Sequence, residues 1–116
     1  MSYHNIDHNQ RVALLYLLDV ERGRTDGVMF RHNEELIELE GGTVEGLAPR
    51  LQVFSRFSCK SLKMNAHKAL LHIYKKGFVH RQWSVLRPGV RGFVYRLRPA
   101  GRVIAQDLAK EEDTPK

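Results

Sequence analysis

Lys63, Asn65, His67 and Lys68 are interleaved with the apolar residues Leu62, Ala66, Ala69, Leu70 and Ile73. Side chains of these types act through hydrogen bonding and charge. An amide such as Asn65 can pair bidentately with adenine, and ammonium groups neutralise phosphate. Ser58, Lys60 and Ser61 fall at or before the expected start of the same helix, where hydroxyls and free backbone N–H groups suit a phosphate. Further on, Arg81 lies in a strand-like run, and Arg87 and Arg91 flank Pro88-Gly89. Guanidinium groups beside a tight turn bind backbone phosphate or enter a narrow minor groove. The chemistry implied is non-covalent recognition of a polyanion.

The charge distribution points the same way. From Gly46 to Gln106 the chain runs 61 residues without an Asp or Glu while carrying 13 Lys or Arg. Nine of the 13 acids lie between Asp7 and Glu45 and four from Asp107 onward, so residues 1–57 carry net −3 and residues 58–116 net +9. A one-sided basic surface suits nucleic acid, the commonest polyanion, although solubilising faces and membrane-surface contacts are also basic. Catalysis has little support. The sequence has no Gly-rich phosphate loop, Ser/His/Asp or Cys/His pattern or zinc spacing, and the acid-free window removes carboxylates from the basic half. His67 and His72 are five apart, a poor spacing for a shared metal, and no metal or cofactor is expected. Cys59 beside Lys60 has the setting of a lowered-pKa thiol, but is expected to be a small packing residue.

The 116 residues, 42% apolar and 28% charged, suit one domain with a single core. The longest apolar run, Val12 to Leu18, is far too short for a membrane span, and no basic start precedes a hydrophobic signal segment. A single cysteine fits a reducing compartment, and a cytoplasmic location is expected.

These side chains need particular elements to hold them. Val12, Leu15 and Leu18, widened by Leu14 and Leu17, predict a helix over 8–22 with Gly23 as its stop. Val28-Met29-Phe30 can form a short strand; Asn33 with Glu34 and Glu35 reads as the start of a short helix closed by Gly41-Gly42. Thr43 is a further candidate cap, opening a segment to Leu51 that Gly46 and Pro49 make poor by propensity and dependent on packing. A helix over 61–76 is the clearest element, with Lys75-Lys76 and Gly77 forming its end. The period then becomes two. Val79, Arg81, Trp83 and Val85, then Phe93, Tyr95 and Leu97, alternate with mostly polar neighbours around a Pro-Gly type II turn, predicting an antiparallel hairpin. Pro99 can open a closing helix carrying Val103, Ile104 and Leu108, followed by a flexible tail at 110–116. Trp83 and Tyr95 are of a type that stacks on bases in an RNA-binding sheet; at these positions they are expected on the apolar underside of the hairpin.

Two blocks, Ala69-Leu70-Leu71-His72-Ile73-Tyr74-Lys75-Lys76-Gly77-Phe78-Val79 and Gly92-Phe93-Val94-Tyr95-Arg96-Leu97-Arg98-Pro99-Ala100-Gly101-Arg102, resemble the winged helix-turn-helix transcription regulators of the MarR and PadR kind. The first looks like the end of a recognition helix and the first wing strand, the second like the other wing strand running into the next helix. The match covers about 62–108. It implies an α+β fold, a helical bundle plus an antiparallel hairpin wing and closing helix, in one domain: a helical scaffold at 8–53 with an insert at 23–42, then the DNA-reading unit at 58–108. It also implies binding of double-stranded DNA, repressor-like regulation and a homodimer. Arg98 stands where these families commonly have a capping Thr after Leu, and the segment Gln52 to Lys60 is longer than their usual turn. An alternative arrangement puts the second helix at 33–40 and a third at 43–53, moving the recognition role toward Thr43.

The wide stripe Leu14, Leu17 and Leu18, together with Ile104 and Leu108, is the expected dimer interface. Two other functions remain open on sequence: a winged-helix module docking a protein or an RNA, and DNA binding in plasmid or phage replication or partition. Operator, effector ligand and sign of regulation are not encoded in any readable pattern.

Overall fold

Leu14, Leu17 and Leu18 leave almost no surface to solvent, and they define the middle of the molecule. The computed structural model describes residues 6–23, 29–32, 35–38, 41–51, 59–87 and 89–113, with side chains at 6–23, 41–51, 61–86 and 89–111. The fold is α+β. Helix α1 (His8–Glu21) is followed by strands β1 (Met29–His32) and β2 (Glu35–Glu38), helix α2 (Val44–Leu47) and a 3-10 turn (Ala48–Leu51). Helix α3 (Cys59–Lys75), strands β3 (Val79–Arg87) and β4 (Val90–Leu97) and helix α4 (Pro99–Asp113) complete the order. None of the described helices is long and apolar enough to cross a membrane.

Asp7 caps α1 by accepting a hydrogen bond from the Gln10 backbone N–H at 2.8 Å. The helix buries Gln10, Ala13, Leu14, Tyr16, Leu17 and Leu18, more than half of its circumference, because it packs against α3, α4, β4 and α2 at once. This overturns the expected pairing surface. Leu14, Leu17, Leu18 and Leu108 are core residues of one copy, and Ile104 packs against them half-buried. The extra width of the α1 stripe serves the elements around it within the chain.

Within the segment expected as a helix from Asn33 to Gly41, the described residues Glu35–Glu38 are instead the second strand of a hairpin. β1 and β2 pair antiparallel, Met29 opposite Glu38 and His32 opposite Glu35. So short a helix is not self-sustaining in water, whereas the neighbouring run provides a partner strand two residues away. Asn33 and Glu34 lie outside the described residues. With no helix there, the alternative that moved the recognition role to the Thr43 segment loses its second helix. Thr43 does act as a cap, its Oγ1 accepting from the Gly46 N–H at 3.0 Å. Poor helix propensity keeps the capped segment short: four α-helical residues, then a 3-10 turn through Pro49, held by the burial of Leu47, Ala48 and Leu51.

α2 is tied to α1 by one buried contact, the Thr43 N–H donating to the Tyr16 hydroxyl at 3.1 Å. Immediately before it, Gly42 exchanges two backbone hydrogen bonds with Tyr95, both 2.8 Å, a single bridge on the edge of β4 away from β3. A Cβ on Gly42 would run into the Leu17 side chain and lie 2.6 Å from the Tyr16 ring, so only glycine fits.

α3 ends as predicted. Gly77 takes φ +80°, its N–H donates to the Tyr74 carbonyl at 3.0 Å, and the Phe78 N–H donates to Ile73 at 3.0 Å, a Schellman closure. β3 and β4 then pair from Val79 opposite Leu97 to Arg87 opposite Val90, with an irregularity between Val85 and Arg87. Gly89, at φ +79°, meets the type II requirement. The Phe78 carbonyl accepts from the Arg98 N–H at 2.9 Å, which starts α4 against the α3–β3 corner. α4 buries Gly101, Ala105 and Leu108 and turns Val103 outward. It runs through Asp113, so residues 110–113 are helical and not part of a tail.

Two substitutions test this packing by urea denaturation. Gly42→Ala is expected to cost about 1–3 kcal/mol, since its neighbours are core side chains with no room to retreat. The fully buried Tyr95 hydroxyl has no hydrogen-bond partner among the described residues. Tyr95→Phe is therefore expected to raise stability, by about 1 kcal/mol; a loss of similar size would reveal a bond to the hydroxyl.

Candidate nucleic-acid interface

α3 has two sides. Leu62, Ala66, Ala69, Leu70 and Ile73 are buried against α1, α2 and the 3-10 turn. Lys63, Met64, His67, Lys68, Tyr74 and Lys75 are exposed on the opposite side, with Leu71 half-buried among them. Lys63, His67 and Tyr74 follow at steps of four and seven and form one row, with Met64, Lys68 and Lys75 beside it. Lys63, Met64, His67 and Lys68 line an open depression of about 320 Å³.

The expected site residues do not all share this face. Asn65 is half-buried and lies about 160° around the helix from Lys63, so it faces away from the Lys63–His67 row. Ser61, also half-buried, sits on the same flank as Asn65. Lys60 is in the first turn of α3 with its side chain outside the described region, and Ser58 lies outside the described residues altogether. On the hairpin, Arg91 is exposed, opposite Val85. Arg87 pairs with Val90 beside the turn, its side chain again outside the described region.

Arg81 is not a free phosphate ligand. Its guanidinium carbon sits 4.3 Å from the Tyr74 ring centroid and 4.2 Å from that of Phe93, held by two aromatic faces. Trp83 departs from expectation as well. Its position is on the core-facing side of the hairpin, yet it is 58% exposed, whereas Tyr95 on the same side is fully buried. The strands outrun the core: its floor reaches Val79, Tyr95 and Leu97 at the base, and Trp83 lies beyond its edge.

The remaining bases of the acid-free window divide by location. Arg50 pairs with Asp19 at 2.7 Å and lies over the Tyr16 ring, Lys76 donates to Gln10 at 2.6 Å, and Arg102 grips Glu21 through three contacts of 2.5 to 3.0 Å. The hydrogen bonds from Arg102 hold the Glu21 carboxyl below the usual carboxylate range; partial burial opposes this, and the charges of Arg102, Arg22 and Arg96 assist it. The guanidinium is reciprocally raised by Glu21. By contrast, Lys63, Lys68, Lys75, Arg91 and Arg98 have no salt-bridge partner among the described residues. Acids of α1 hold the bases on the α4 and 3-10 sides, and the outward face of α3 keeps its charge.

No family model, curated protein or solved structure matches this chain. The candidate interface therefore rests on its own geometry. Met64, Leu71 and Tyr74 belong to it and were missed on sequence, although a helical projection at 100° per residue puts Met64 and Leu71 near the centre of the exposed face.

The Glu21–Arg102 pair makes a pH prediction. Because the folded Glu21 pKa is depressed, its contribution is present above the unfolded value, roughly pH 4.3, and is lost as pH falls through the folded value. The stability advantage of the native chain over Glu21→Gln should be small, since both side chains are 38% exposed. It should be present at pH 7 and absent at pH 3 in parallel denaturation curves.

Proposed function

We propose that the chain is a winged helix-turn-helix protein that binds double-stranded DNA and serves as a transcription regulator. The observation that carries this reading is the outward face of α3, where Lys63, Lys68 and Lys75 stand exposed without acidic partners while the acids of α1 neutralise bases elsewhere. In this reading α3, 17 residues and about 25 Å long, lies in the major groove and β3–β4 is the wing. The three lysines hold phosphates, His67 meets base edges, and Arg91 grips the backbone from the hairpin. Asn65 has no part in base reading, because it faces away from that row. Four of the five side chains expected to pair two copies are in the core, so the reading asks only that one copy present helix and hairpin to one site.

Fluorescence anisotropy with duplex fragments tests it. With about six phosphates contacted, log affinity should fall with log salt at a slope on the order of −5. Lys63→Ala and Arg91→Ala should each weaken all duplexes alike and reduce that slope by about 1, and His67→Ala should narrow discrimination among sequences by roughly 1 kcal/mol. Unchanged binding in all three variants would reject this surface. Absence of duplex affinity at low salt, with retention of a protein partner, would favour an interaction module, a role to which the exposed Met64, Tyr74 and Trp83 are also suited.

A further inference from the structure

Tyr74, Arg81, Phe93 and Trp83 form a continuous ladder of planar groups. Arg81 lies over both Tyr74 and Phe93, and Phe93 meets Trp83 edge-on, with 5.0 Å between centroids and 78° between planes. One end starts on the outward row of α3, since Tyr74 continues the line of Lys63 and His67. The other end is Trp83 on β3, more than half exposed.

Folding does not explain an indole there. A side chain with most of its surface in water returns little to stability, and the core ends before Trp83 is reached. Arg81 would forfeit two ring contacts by leaving for a phosphate, so its effect is to lock Tyr74 and Phe93 in place and to lend the ladder positive charge. Phe93 in turn fixes Trp83 by its edge contact. The result is an electron-rich, exposed ring beside the outward face of α3, where Lys63 and Lys68 supply positive charge and His67 a hydrogen-bonding edge, with Arg91 on the neighbouring strand. An apolar peptide would find cations at its margins. A nucleobase joined to a phosphate backbone fits both the ring and the charges, because every base offers a π-face.

We propose that Trp83 is a base-stacking platform, which takes an unpaired or extruded nucleobase where nucleic acid lying along α3 reaches the hairpin. This rests on the nucleic-acid reading above and adds a preference: duplex interrupted by an unpaired base over duplex that is fully paired. Bringing out a base that has no partner costs least, so the stacking gain goes to such sites.

Trp83 is the only tryptophan in the chain, so its fluorescence reports the event directly. The full chain is titrated with a fully paired duplex, the same duplex carrying one unpaired central base, and a third carrying an abasic residue at that point. The bulged duplex is expected to bind about tenfold more tightly than the paired one and to quench Trp83, while the abasic duplex loses both effects. Trp83→Ala should bind bulged and paired duplexes alike, and Trp83→Phe should recover part of the preference, with circular dichroism confirming that both variants fold. Equal affinity of the native chain for the paired and bulged duplexes overturns the platform and leaves duplex binding standing. Failure to bind any of the three at low salt overturns both.

Discussion

The encirclement of α1 is the constraint on which the other elements depend. α3, α4, β4 and α2 all pack on this one 14-residue helix, through Leu14, Tyr16, Leu17 and Leu18. Each of those elements presents a narrow apolar stripe of its own: Leu62, Ala66 and Leu70 on α3, Ala105 and Leu108 on α4. None of them could bury its stripe without α1. Tyr16 shows how closely the parts are joined. Its ring is core, its hydroxyl receives the Thr43 N–H, and its edge meets the backbone of Gly42 and Gly46.

Charge is organised around the same helix. Asp19 and Glu21, near its end, attract Arg50 and Arg102 from distant parts of the chain, and Glu111 of α4 attracts Arg11. Such exposed pairs contribute little to stability. Their effect is spatial: they neutralise Arg11, Arg50 and Arg102, while Lys63, Lys68 and Lys75 on α3 and Arg91 on the hairpin have no acidic partner among the described residues. A net charge of +6 spread evenly would attract a polyanion weakly and without orientation.

Local signals were legible in the sequence, and their limits were physical. The end of α3 at Gly77, the Thr43 cap and the left-handed Gly89 in the hairpin turn each depend on a few neighbouring residues, and each is found at its expected position. The β1–β2 hairpin was missed because Glu34 and Glu35 after Asn33 look like a helix start, whereas strand formation depends on a partner strand. Four of the five expected dimer residues, Leu14, Leu17, Leu18 and Leu108, are core of one copy, because stripe width reveals how many neighbours a helix has, not whether they belong to the same chain. Periodicity placed Lys63, His67 and Lys68 on the exposed side of α3, where they lie. Asn65 was drawn into the same group although its angle around the helix excludes it, and Trp83 was placed on the correct face but not at its height above the core.

The corner at Phe78 has a mechanical consequence. Its N–H closes α3, its carbonyl starts α4, and the backbone of Gly101 sits so close that a methyl group would collide with that carbonyl. The Arg81 ladder adds a brace between the last turn of α3 and the middle of the hairpin. Helix and hairpin are thus joined at two places, the Phe78 corner and the Arg81 brace. Anything that shifts one of the two strains contacts made by the other, so the spacing between the α3 face and the hairpin is set by the backbone at this corner.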